Sequence, residues 1–417
     1  MAELHYSIGV TKEGKVKQKN TTAPLKVDLD FPLEEYADRL ERVRAKMHRE
    51  GVNVTIVTNH RDFNWLTGSR ADYPSAESAA WIVITKKRAV GIVRSLEAEA
   101  HKSANALQEW VEYQDEGPQN LFSPLRGAIK VIKKLKMEKA IIGMNMRTFP
   151  VMDYEELRSR LPTAKFKDFF VESIRIHKSV REIEAMRMAA KGNQDALMET
   201  IKAIKPGWSE YDILKYINKR QKYHLGDQYE RAAFRATACQ VGGNATQMHI
   251  RKTDNELKAQ KVQKGDIIWL EPGVFVKGYV GCMIRTVFVG DPPKEVKDGV
   301  NYCIEAFEKA VKVIKPGNTF EKVYGIAARY LRQAGYHIGH RIGYLNELDW
   351  ADSNILSIMP KNPYKFEPGL VFHFLVYVML PGWGYVGVSE QVHITDNGYE
   401  ILGDWKRTCP RKLFIKK

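Results

Sequence analysis

Two stretches, AIKPGWSEYDI at 203–213 and VIKPGNTFEKV at 313–323, carry the same device 110 positions apart. In each, a helical pattern runs into Ile-Lys-Pro-Gly. Proline and glycine end the helix there, and Ser209 or Thr319 then stands as the cap of a second helix. Candidate strands follow both copies. A helix-loop-helix plus sheet unit that occurs twice predicts two halves related by a pseudo-two-fold, with room for a site between their sheets.

The repeat occupies only the later part of the chain. With 417 residues, one ordinary core is not expected. Ahead of the repeat, apolar residues Leu33, Tyr36, Leu40, Val43 and Met47 fall at helical spacing, with Gly51 as the stop. Strand patterns at 52–58, 81–85, 89–93 and 139–144 alternate with helical ones at 127–136 and 150–161. The whole reads as α/β (α+β) in three parts: an N-terminal arm at 1–28, an α/β domain at 29–174 and the duplicated domain at 175–417, opened by a capping box from Ser179 and Glu182.

The chain has no apolar run long enough to cross a membrane, and its first residues lack the apolar stretch of a secretory signal. The four cysteines, irregularly spaced and without a C-x-x-C pair, suit reduced thiols, so a cytoplasmic protein is expected. Net charge is +15. The basic residues are interleaved with acids, as in EEYADRLERVRAKMHRE at 34–50, which argues against a nucleic-acid face and is compatible with drawing in an anionic or zwitterionic small molecule.

The stretch WLEPGVFVKGYVGCMIRTVFVG at 269–290 reads as two buried strands turning at Lys277-Gly278, with Glu271 in the first and Cys282 in the second. His340, His373 and Glu390 lie in other strand-like runs, and His249 sits on a glycine-rich loop. A carboxylate in a buried strand costs several kcal/mol unless it is paired. Two such acids with three histidines predict a shared polar cavity.

At this point the order of residues resembles the creatinase and aminopeptidase P family, the pita-bread fold. The matching segments are HKSVREIEAMRMA at 177–189, the His249 loop, GDIIWLEPG at 265–273, RTVFVG at 285–290, GHRIG at 339–343, PGLVF at 368–372 and VSEQVHITDNGYEIL at 388–402, with YADRLERVRAKM at 36–47 and NWLTG at 64–68 in the first domain. The resemblance implies that the family's five metal-ligand positions fall on Glu271, Cys282, His340, Leu375 and Glu390. Leucine cannot ligate, so the expectation is no two-metal site and no cofactor, as in the family's metal-free branches, the creatinases and ectoine hydrolases, with a single metal on Glu271, Cys282, His340 and Glu390 as the alternative. FHF at 372–374 and Asp349-Trp350 are similar to the latter branch. The implied chemistry is hydrolysis of a C–N bond in a small nitrogenous compound. Glu271 would attack or activate water, with His249 as proton shuttle and His340 and Glu390 completing the catalytic set. His373, Cys282, Trp350, Tyr377 and Trp383 would meet the substrate, the aromatics by stacking on a cation. A metallopeptidase of Xaa-Pro bonds, a non-catalytic binding member of the fold and an osmolyte lyase are the competing readings. The resemblance also implies a homodimer, with 60–78 bordering the other subunit's site.

Overall fold

The computed structural model describes residues 28–69, 80–103, 105–114, 124–233, 238–351, 356–409 and 414–415. The expected arm, Asp28 apart, and positions 70–78 of the expected dimer segment lie outside the described residues. The first domain is a six-stranded mixed sheet in the order β4-β3-β2-β1-β5-β6: β1 Val54–Val57, β2 Ala80–Thr85, β3 Ala89–Arg94, β4 Glu109–Tyr113, β5 Ile141–Met144 and β6 Lys165–Asp168. Helices α1 Leu33–Glu50, α2 His60–Thr67, α3 Leu125–Lys134 and α4 Val151–Arg160 accompany it. The spacing in α1 does its work at Tyr36, Val43 and Met47, which are buried, while Leu33 is exposed. Gly51 ends the helix at φ 67, its N–H donating to the His48 and Met47 carbonyls.

In the second domain the duplication is visible bond by bond. Helices α5 Val180–Ala203 and α6 Glu210–Leu225 form one pair, α7 Lys294–Val311 and α8 Phe320–Gln333 the other. Gly207 and Gly317 take φ of 89 and 86, which a side chain would resist. Their N–H groups donate to Val262 O and Phe366 O, and the caps Ser209 and Thr319 bridge antiparallel to Lys261 and Lys365. Each pair covers its own apolar cluster. In the first, Ile213 and Ile217 of α6 pack with Val287, and in the second, Phe307 of α7 and Phe320 of α8 pack with Phe372 and Val388.

The strands form two sheets. A ten-stranded sheet contains, along its main path, β14 Trp350–Ala351, β13 Gly343–Glu347, β16 Val371–Leu380, β17 Gly384–Thr395, β12 Arg285–Val289, β9 Ile267–Leu270 and β8 Cys239–Val241. A three-stranded sheet holds β11 Tyr279–Cys282, β10 Gly273–Val276 and β7 Arg231–Ala233. The two domains are bolted by buried charges. Glu182 of the α5 capping box accepts from Trp65 Nε1 at 2.7 Å and pairs with Arg39 at 3.1 Å, while Arg175 pairs with Asp62 and Glu347 at 2.9 Å each. No described helix is long and apolar enough to cross a membrane.

Candidate active site

Glu271 is not inside a strand, as the sequence pattern led one to expect. It stands in the break between β9 and β10, where the chain leaves the large sheet for the small one. Pro272 causes the break: it has no N–H for a ladder, and its carbonyl is taken by Asn193 Nδ2 at 2.8 Å. The Glu271 backbone N–H still donates to Ala238 O at 2.9 Å, which fixes the residue at the crossing. Cys282 ends β11, as expected.

Between the sheets the buried side chains of Trp269, Phe275, Cys282, Ile284, Tyr344, Trp350 and Leu375 pack together into an apolar compartment, with Met248, Tyr377 and Tyr385 against it. Trp269, Tyr377 and Tyr385 meet edge to face, with centroids 5.4 to 6.4 Å apart. Glu271, 9% exposed, accepts one side-chain hydrogen bond, from Trp269 Nε1 at 3.4 Å. Burial with so little compensation pushes its carboxyl up to about 7. Burial, with a smaller contribution from the Glu271 charge, raises the Tyr344, Tyr377 and Cys282 side chains, Tyr377 to about 12.

The other expected residues divide sharply. His373 lies in β16 beside the compartment, but both ring nitrogens are engaged: Nδ1 meets Tyr344 Oη at 2.8 Å and Nε2 meets Ser389 Oγ at 2.6 Å. Tyr344 Oη also accepts from Trp350 Nε1 at 2.9 Å, so the tyrosine O–H is directed to His373 Nδ1. Burial drops the imidazole to about 3. A neutral, fully bonded His373 braces Tyr344 and Trp350 rather than meeting a substrate cation. His340 sits in a bend ahead of β13, not in a strand, because Ile342 and Gly343 are the first residues to pair with the sheet. It stacks on Tyr377, centroids 3.7 Å apart, with Nε2 3.2 Å from Tyr377 O and Nδ1 against Arg341 O, and burial lowers its pKa.

Glu390, expected to take part in catalysis, is in β17 and is bound by Arg285, a fully buried guanidinium that also donates to Thr408 and to the Ile284 and Ser389 carbonyls. Burial raises the Glu390 carboxyl and Arg285 pulls it back. An acid held this way serves the packing of β12 on β17. Cys282 Sγ is buried beside Asn346 and its thiol is pushed well up by burial, so it stays protonated and is a poor nucleophile. Trp383 lies elsewhere: it packs on Phe288 and donates to Glu295 in the α7 cluster, because the β16–β17 turn carries it past the end of the sheet. His249, at φ 60 on a turn after β8, is exposed and has no hydrogen-bond partner among the described residues. Its neighbour Met248 packs on the compartment, which places the loop at the rim.

Sequence reasoning passed over Trp269, Tyr344, Tyr385 and Arg341. Trp269 had a signal, standing two residues from Glu271, the spacing that puts neighbours on one side of an extended chain. The Arg341 Cζ lies 4.3 Å from the Tyr344 centroid, its Nη1 donates to Ser357 Oγ at 3.0 Å, and its charge acts on Tyr344, Tyr377 and His373. Glu271 and Arg341 therefore act on the same two tyrosines with opposite charge.

The five positions implied as metal ligands do not form a metal cage. Leu375 offers a hydrocarbon, Glu390 is held by Arg285 and His340 faces backbone carbonyls. No cluster of three or more His, Cys, Asp or Glu suited to a metal ion occurs among the described residues.

The model of metallopeptidase family M24 matches residues 184–396, and that of the creatinase/prolidase N-terminal domain matches 39–183. The chain belongs to family M24. Ectoine hydrolase from Halomonas elongata is 26% identical over 418 residues, covering 94% of this chain and 100% of the relative. Among solved structures, X-Pro aminopeptidase from Thermotoga maritima aligns with a TM-score of 0.77 at 22% identity, over 90% of this chain and 99% of the other. Prolidase from Thermococcus sibiricus gives the same TM-score and identity over 91% and 99%. These structures establish the pita-bread fold for this M24 protein. Its place in the family, with a hydrolase as a full-length relative, supports the coarser functional statement that it is a hydrolase.

Proposed function

We propose that this M24 protein hydrolyses a C–N bond of a small zwitterionic nitrogen compound, a cyclic amidine such as ectoine or a guanidino relative, without a metal. The observation that carries the reading is the Glu271 carboxyl, held near 7 in an aromatic compartment. A carboxylate beside tyrosine and tryptophan faces suits a flat, delocalised cation. Arg341, acting on the same tyrosines, suits a carboxylate on the other end of the molecule. A base whose pKa lies at the working pH is well matched to proton transfer. Glu271 takes a proton from water, the hydroxyl adds to the amidinium carbon, and the C–N bond breaks as the proton passes to the departing nitrogen. His249 at the rim exchanges protons with solvent.

A thermal-shift panel tests this directly: cyclic amidines, guanidino acids, betaines and dipeptides, each with chelator and with manganese. A ligand at about a hundred times its Kd stabilises by roughly 2.7 kcal/mol. The expected result is a shift with an amidine or guanidino acid, and turnover of that compound, both unchanged by chelator. Shifts confined to dipeptides with manganese would overturn the proposal.

A further inference from the structure

The corner between β13 and β14 holds two consecutive non-glycine residues in the left-handed region, Asp349 at φ 54 and Trp350 at φ 84. For a bulky aromatic residue this conformation is an outlier that persists only where its surroundings enforce it. The enforcement is visible on both sides. Toward the compartment, Trp350 Nε1 donates to Tyr344 Oη at 2.9 Å, and the indole lies so close to Gly273 that a Cβ there would come within 2.4 Å of it. Toward the domain boundary, the Asp349 carboxylate accepts from Arg231 Nη2 at 2.6 Å and lies 3.9 Å from Arg61 Nε of α2. The Arg231 guanidinium is itself seated 3.8 Å over the Phe275 ring, and Asp349 N–H donates to Gly278 O at 3.2 Å.

Asp349, Arg61 and Arg231 line a cleft of about 590 Å³ between the two domains, whereas Trp350 belongs to the packed cluster of Trp269, the hydrogen-bond partner of Glu271. The single corner thus links the cleft to the aromatic cluster beside Glu271. We propose that Asp349 and Arg231 are positioning residues whose ion pair in the interdomain cleft holds the strained corner and thereby sets Trp350 in the compartment wall. Phe275, which carries the Arg231 guanidinium on its ring face, belongs to the same cluster, so the pair touches two of its aromatic members. The inference does not depend on which compound the compartment takes.

The test uses the full chain labelled with 5-fluorotryptophan, the Trp350 19F resonance being assigned by its loss in Trp350→Phe. Asp349→Asn keeps the shape and tolerates a left-handed backbone but removes the charge. Asp349→Asn and Arg231→Gln should each shift or broaden the Trp350 resonance. The double variant should shift it by less than the sum of the two single effects, because both remove the same ion pair. The other tryptophan resonances should stay in place. Lys294→Ala, which breaks the exposed α7 pair with Asp298, is the control that should change nothing at Trp350. A Trp350 resonance that is unmoved in folded Asp349→Asn, or one that moves only as part of a general change in all tryptophans, would overturn the proposal. If Asp349→Asn does not fold, Arg231→Gln decides by the same criterion.

Discussion

The Trp269 indole donates to the Glu271 carboxylate over 3.4 Å, and among the described residues that is the carboxylate's only side-chain hydrogen bond. One long bond replaces the hydration an exposed acid would have, which is why the folded pKa rises from 4.5 to about 7. The sign of the stability effect follows. The raised carboxyl contributes stability fully below its unfolded value, and that contribution is lost as pH climbs from 4.5 through about 7. Wild type should therefore lose stability over this window, on the order of 3 kcal/mol for this group. Glu271→Gln should lack that component. Urea melts of both proteins at several pH values measure it, and parallel curves would refute it.

Arg285 and Glu390 make a different kind of pair, both ends buried and the guanidinium saturated by carbonyls. Removing one partner leaves the other charge uncompensated, so Arg285→Met should cost about 3–5 kcal/mol. Glu390→Gln should also act mainly on the melting temperature. A Glu390→Gln protein with wild-type melting and collapsed turnover would return Glu390 to the chemistry.

Much of the fold was legible because the signals are local. Pro-Gly with a polar cap, repeated at 206–209 and 316–319, fixes two helix breaks whatever surrounds them. The Ser179–Glu182 capping box forms as the spacing implies. The candidate site was legible in part. A carboxylate amid apolar residues announces itself, and Cys282 and Leu375 do fall in the cluster of its partner Trp269. What the sequence could not show was which acid has a buried cation within reach. Glu271 and Glu390 look alike as letters, and only the pairing of β12 with β17 gives Arg285 to one of them. Likewise His373 looked available until register set Tyr344 opposite it on the neighbouring strand.

His249 is the exposed member of the proposed proton path. His249→Asn should lower turnover, and combined with Glu271→Gln it should cost less than the product of the two single effects, since both act on one proton transfer. Full multiplicative loss would separate the two residues.

A homodimer is proposed for this M24 protein, with 60–78 of one subunit bordering the other's site. Light scattering at micromolar concentration should give twice the 47.8 kDa chain mass. A monomer at that concentration would remove the proposal.

The central claim is that Glu271 does the chemistry, and turnover of the compound selected by the thermal-shift panel tests it most directly. Glu271→Gln keeps the size of the side chain and its ability to accept from Trp269 Nε1, but it cannot take a proton. Turnover should fall by at least about a hundredfold while the compound still stabilises the folded protein. Wild-type turnover should rise with pH through about 7, as the base ionises. A Glu271→Gln protein that binds and turns over the compound within a few-fold of wild type would contradict the account.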